Sequence, residues 1–352
     1  MHEPHSLGHG AGSNVEACPK SMHHGPCGGV HQDGGCEVDD RTCPFLREAR
    51  MMPTPRRPSV PLELAPPVVL VDVRVPLAWT GDTSEFWSRT AASLSGCWVL
   101  IGEHVDNRSH TDDAGVADPS AVVETFAEAG VPAIVTVTGR DRDLAEARSE
   151  IRRLRDAGAT AIHCVTGDHP AAVGLDRPAK FGAESMTLSS VVAEEAMPAT
   201  VAESPASPGH RVERLVAKAA AGASACILNH SGAAETLIAF GDECLAAGLT
   251  LPLIAPLPMV GDARAAAALA ALPGLRLPAG MLASIGAATD PFAEGLAWAT
   301  ELGAQLAASG RFVGCNLSGA AAGTDPWSRL AATVQFADAI RTTWESASPT
   351  PR

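Results

Sequence analysis

From Pro67 to the C-terminus, short β-rich runs alternate with longer helical stretches, and this alternation constrains the fold more than any other feature of the chain. The pattern predicts strands at Val68–Val73, Cys97–Gly102, Ala133–Thr138, Ala161–Thr166, Ala199–Glu203, Ala225–Asn229, Leu251–Pro256 and Arg311–Leu317. Between them lie segments with helical spacing, such as Leu144–Ala157, His210–Ala221 and Ala233–Ala247. Eight strand–helix units over roughly 280 residues match the usual size of a (β/α)8 TIM barrel. A doubly wound sheet is the competitor, but it usually carries a Gly-rich phosphate turn after its first strand. Val71-Asp72-Val73-Arg74 has no such turn.

The strand ends add an independent clue. They finish in polar or ionisable residues: Asp72 and Arg74, Glu103 and His104, Thr136 and Thr138, Asp168 and His169, Glu203 and Ser204, Asn229 and His230, Asn316 and Ser318. Loops are polar anyway, so a single such end means little. Seven of eight point to a mouth where the βα-loops build an active site.

Composition narrows the function. Hydrophobic residues make up 46%, enough for a large core, while aromatics are 4% with no Tyr, so packing leans on Ala, Val, Leu and Gly. A net charge of −14 argues against nucleic-acid or anionic-membrane partners, which need clustered Lys and Arg. No apolar run approaches the roughly 18 residues of a membrane span, and the N-terminus lacks a signal core. The expectation is a cytoplasmic protein. Disulfides are disfavoured there, so the nine cysteines need another account.

Five of them, Cys97, Cys164, Cys226, Cys244 and Cys315, are scattered through apolar segments and read as small buried hydrophobes. The other four crowd together as Cys18-Pro-Lys-Ser-Met-His-His-Gly-Pro-Cys27, Gly-Gly-Cys36 and Arg-Thr-Cys43-Pro. Four thiolates suit zinc or an iron–sulfur cluster. A segment this small buries too little core to fold alone, so a metal would supply the missing stability. The competing reading is a tail whose cysteines stay reduced. The chain thus divides into a Cys/His/Gly-rich metal-binding segment (1–48), a Pro-rich linker (49–66) and the barrel (67–346).

Several blocks resemble the methylenetetrahydrofolate reductase family. Met-His-His-Gly-Pro-Cys-Gly-Gly with Gly-Cys-Glu-Val and Arg-Thr-Cys-Pro resembles the cysteine-rich domain associated with that reductase in acetogens and actinobacteria, where the domain usually follows or accompanies the barrel. Leu70–Pro76 looks like the family's first strand, with Asp72 standing in for a catalytic Glu. Gly167-Asp168-His169-Pro170 is similar to the strand end whose Asp contacts the pterin and tunes the flavin. Val201–Pro205 resembles the turn over the flavin, and Leu215–Ala223 the helix whose Lys meets a cofactor phosphate. Leu228-Asn229-His230 falls where the family keeps a pterin-binding Gln.

The resemblance implies reduction of 5,10-methylenetetrahydrofolate with NAD(P)H, using Asp72 as acid and Asp168 against the pterin. Asn229 and His230 would bind substrate. Lys218, Thr136, Thr166 and Ser204 would flank FAD. The family usually has His, Arg and Tyr at the last three positions, so the ring and charge contacts that grip a flavin are missing. Hydride then comes through FAD or directly from the nicotinamide. Two alternatives come with it: a non-catalytic folate-binding or electron-transfer subunit serving a redox partner or a homo-oligomer, and a reductase of another C=N compound.

Overall fold

A computed structural model describes residues 16–31, 33–46, 56–75, 80–103, 118–270, 275–320, 323 and 325–349. Eight parallel strands close into a barrel in sequence order: β1 Val68–Arg74, β2 Trp98–Gly102, β3 Ala133–Thr138, β4 Ala161–Val165, β5 Ala199–Glu203, β6 Ala223–Leu228, β7 Leu253–Val260 and β8 Gly314–Ala320. This is the TIM barrel that the alternation predicts. Among the described residues, no helix is long and apolar enough to cross a membrane.

The last two strands differ most from the expected spans. β7 begins at Leu253 rather than Leu251 and runs past Pro256 and Pro258 to Val260. Its pairing with β6 stops at Ile227↔Ile254, whereas its pairing with β8 continues to Val260↔Ala320. The prolines therefore fall where only one ladder remains to be made, which a residue lacking an N–H can tolerate. β8 starts at Gly314 rather than Arg311 because Gly310, in the left-handed region, ends the helix Pro291–Ser309 just before it.

The two-residue period of the strands sorts their side chains between two cores. Val69 and Val71 of β1 face the helices, with Val99, Val135, Cys164, Val201 and Leu317. Val68 and Leu70 face inward and pack with Leu100, Ile134, Ala161, Ile227 and Ile254 into an apolar floor. Leu62 and Leu64 close that floor from outside. They arrive on a stretch held to the barrel by Arg57 N donating to Ala220 O (2.9 Å) and Ser224 Oγ donating to Val60 O (2.5 Å). Above the floor the inward positions turn polar. The parity that buries Leu70, Ile134 and Ala161 also points Asp72, Thr136 and His163 inward.

Closure of the barrel leaves no room at one position. A Cβ on Gly314 would lie 2.0 Å from Val68 O. Gly314→Ala is therefore expected to cost about 1–3 kcal/mol through strain at the β8–β1 seam. Urea denaturation measures this, and an unchanged midpoint would contradict the tight seam.

The cysteine-rich segment folds into a small lobe around Met22, Val30, Cys43 and Phe45, with Cys18, Cys27 and Leu46 against them. Cys36 N donates to Arg41 O (2.8 Å) and Cys43 N to Gly34 O (2.8 Å), bringing the last two lobe cysteines into one loop.

Candidate functional site

A cavity of about 910 Å³ opens at the C-terminal mouth of the barrel, above the apolar floor. Asp72, Thr136, Thr166, Asp168, Ser204, Lys218, Asn229 and His230 all line it. The cavity therefore gathers these eight residues from β1, β3, the ends of β4, β5 and β6, and the helix Arg211–Ala220.

Asp72 is the most distinctive of them. Its Oδ1 is buried and has no hydrogen-bond partner among the described residues. Burial pushes its carboxyl up to about 7, against the opposing pull of a hydrogen bond from Asn316 and the nearby charge of Arg74. Asn316, on neighbouring β8, also keeps its Oδ1 buried, with no partner among the described residues. Two polar oxygens on one side of the cavity thus have no partner among the described residues.

Two histidines of the cavity, His230 and His163, are neutral. His230 lies with Nε2 2.5 Å from Ser318 Oγ, and burial lowers its pKa to about 4. His163 pairs with Thr200 Oγ1 at 2.9 Å and is likewise lowered to about 4, by burial and by the charge of Lys218. Neither is a cation at neutral pH, so both act here as hydrogen-bonding groups.

The turn after β4 is held from above and from the side. Gly167 has φ 94°, and a Cβ there would press on Thr138 and Arg140 at 3.1 and 3.2 Å. Arg140 Nη1 donates to Asp168 O at 3.0 Å, and Lys20 Nζ donates to Gly167 O at 2.8 Å. His169 accepts from Ala171 N (3.2 Å) and stacks on Phe181, so its ring caps the following turn instead of reaching the cavity.

Two buried ion-pair groups brace the wall. Glu203 binds Arg214 Nη2 (2.5 Å) and Lys218 Nζ (3.0 Å), and Lys218 also donates to Ala202 O (2.6 Å). Burial raises the Glu203 carboxyl, but Lys218 and Arg214 outweigh it and hold its pKa at about 2. Lys218 is thus paired within the protein, to Glu203 and Ala202 O. On the opposite side, Arg142 binds both oxygens of Glu103 (2.9 and 2.6 Å), and Thr138 Oγ1 donates to the same carboxylate (2.9 Å).

Of the four lobe cysteines, Cys27 lines the cavity, and burial pushes its thiol up to about 12. Cys18 lies close enough to Cys27, Cys36 and Cys43 to interact electrostatically. Among the described residues, however, no three His, Cys, Asp or Glu side chains come together in a way that could hold a metal ion.

Sequence reasoning passed over His163, Arg140, Arg142, Lys20 and Glu184. His163 was legible from strand parity with Ala161. Lys20 and Glu184 carry no local signal, because their partners lie 147 and more than 150 residues away. His104, a strand-end candidate, lies outside the described residues.

Residues 109–310 match a family model described as methylenetetrahydrofolate reductase, and residues 8–62 one described as methylene-tetrahydrofolate reductase C terminal. No curated protein matches the chain. Among solved structures, an uncharacterised Clostridium thermocellum protein that binds two copies of 5-methyl-5,6,7,8-tetrahydrofolic acid is similar at TM-score 0.60 and 14% identity. The match covers 82% of this chain and 96% of that one. Tryptophan synthase from M. tuberculosis is more distant, at TM-score 0.42 and 15% identity over 78% of this chain and 94% of that one.

Proposed function

The chain belongs to the methylenetetrahydrofolate reductase family, and on that footing we propose that it reduces 5,10-methylenetetrahydrofolate to 5-methyltetrahydrofolate with hydride from NAD(P)H. One observation carries the reading: a carboxyl group on β1, held protonated to about pH 7, lines a cavity large enough for a folate. Ring opening requires a proton on the departing N10, and Asp72 supplies it. As the C–N10 bond breaks, the one-carbon unit becomes an N5 iminium. Hydride from the nicotinamide adds to that carbon, giving the methyl group and NAD(P)+. Asp72 is left as a carboxylate and regains its proton from water. Proton transfer of this kind is worth about 10²–10⁴ in rate.

The remaining cavity residues bind and orient. Asp168, on a turn fixed by Arg140 and Lys20, accepts from the amino and ring N–H groups of the pterin. Neutral His230, anchored to Ser318, and Asn229 complete the polar contacts around it. The folate ligand of the Clostridium thermocellum protein supports a folate here as well.

Flavin fits this cavity poorly. Lys218 is taken up by Glu203 and Ala202 O, and Thr136, Thr166 and Ser204 offer neither ring nor cation. Hydride therefore passes directly from the nicotinamide. The test is NADH oxidation by purified protein with 5,10-methylenetetrahydrofolate, run with and without FAD. Turnover that ignores added FAD is expected, and turnover strictly dependent on FAD would overturn direct transfer.

A further inference from the structure

A buried lysine must be paired, because an isolated ammonium is too costly to strip of water. Lys20 is 4% exposed. Its Nζ forms an ion pair with Glu37 of its own lobe, donates to Gly167 O of the barrel (2.8 Å) and lies 5.5 Å above the Phe181 ring. Glu184, also buried, caps the lobe from the barrel side: its carboxylate accepts from the backbone N–H groups of His23 and His24 and from His24 Nδ1 (3.2 Å). The lobe also touches two further loops, since Gly28 lies beside Asn229 after β6 and Leu46 beside Gly209 after β5. Met22, Pro26, Cys27 and Gly28 thereby become part of the cavity wall.

We propose that the cysteine-rich lobe is the closing wall of the folate cavity, and that Lys20 is the positioning residue that transmits its seating to the Gly167–Asp168 turn. The inference rests on the folate reading for its ligand but not for the seating. Lys20 and Arg140 hold neighbouring carbonyls of that turn, one from the lobe and one from the barrel. Losing Lys20 leaves the turn half-anchored and the Asp168 carboxylate free to swing away from the pterin. Substrate affinity then falls, while the proton donor Asp72, on β1, keeps its surroundings.

Two reciprocal variants test this by hydrogen exchange and folate binding. Glu184→Ala, a change in the barrel, is expected to deprotect the lobe peptide 20–30. Lys20→Met, a change in the lobe, is expected to deprotect the barrel peptide 163–170. Lys20→Met is also expected to weaken 5-methyltetrahydrofolate binding by about tenfold, the effect of one lost charged hydrogen bond. In turnover the loss appears in KM for the folate and not in kcat. Free exchange of the lobe peptide in the wild-type protein, or wild-type folate affinity in Lys20→Met, would overturn the proposal. A protected lobe in a wild-type protein that binds no folate would uphold the seating and overturn the folate reading instead.

Discussion

Asp72→Asn is expected to lower turnover of 5,10-methylenetetrahydrofolate by about 10²–10⁴. Affinity for 5-methyltetrahydrofolate should stay within a few-fold, because the amide keeps the shape and the hydrogen bonds of the protonated acid. The same carboxyl sets the pH profile. In the proposed mechanism its acid form is the active one, and with a pKa of about 7 the rate should be level at lower pH and fall as pH rises through that value. Asn316 holds that pKa down through its hydrogen bond, so Asn316→Leu should move the falling limb to higher pH. Stability follows the same linkage. The folded pKa lies above the unfolded 3.8, so the folded state binds the extra proton between the two values. The contribution is fully present below about pH 4 and is lost as pH rises through 7. Asp72→Asn should therefore raise the melting temperature at pH 8 and change it little at pH 4. Equal shifts at both pH values would mean that the carboxyl is not buried as described.

Glu203→Gln should produce the largest loss of stability. Glu203, Arg214 and Lys218 are all buried, and removing the single carboxylate leaves two cations facing each other away from water. Breaking a buried pair in this way costs about 3–5 kcal/mol, well above the value of a surface ion pair. The pH dependence has the opposite sign to that of Asp72. The folded pKa of about 2 lies below the unfolded 4.5, so the contribution is present above 4.5 and lost as pH falls through 2. Chemical denaturation at pH 7 and at pH 3 reads both effects. A variant as stable as wild type at pH 7 would show that the triad contributes nothing.

The barrel was legible because each strand buries two faces and each helix one, so hydrophobic spacing repeats at both periods along the chain. β7 was the weak point. The expected span stopped at Pro256, and nothing local reveals that β6 drops away at Ile254 while β8 continues. The barrel side of the cavity was equally legible, because strand ends in a TIM barrel converge whatever their sequence separation. Asp72, Asp168, Asn229 and His230 were found that way. The lobe side was not. Cysteine spacing marks residues 18–43 as a unit but says nothing about where that unit docks. The residues that seat it, Lys20 and Glu184, look in sequence like ordinary solvated charges. Lys218 shows the converse limit: nothing local in the sequence reveals that Glu203, fifteen positions earlier, pairs with its ammonium.

The activity proposed for this cavity is proton-assisted reduction of a folate. The most direct measurement incubates purified full-length protein with 5,10-methylenetetrahydrofolate and NADH, without added FAD, and follows both NADH loss and 5-methyltetrahydrofolate formation. Equal amounts of NADH consumed and methyl product formed, abolished in Asp72→Asn, are the predicted result. Folded protein that binds 5-methyltetrahydrofolate but consumes no NADH, with or without FAD and with NADPH in its place, would contradict it.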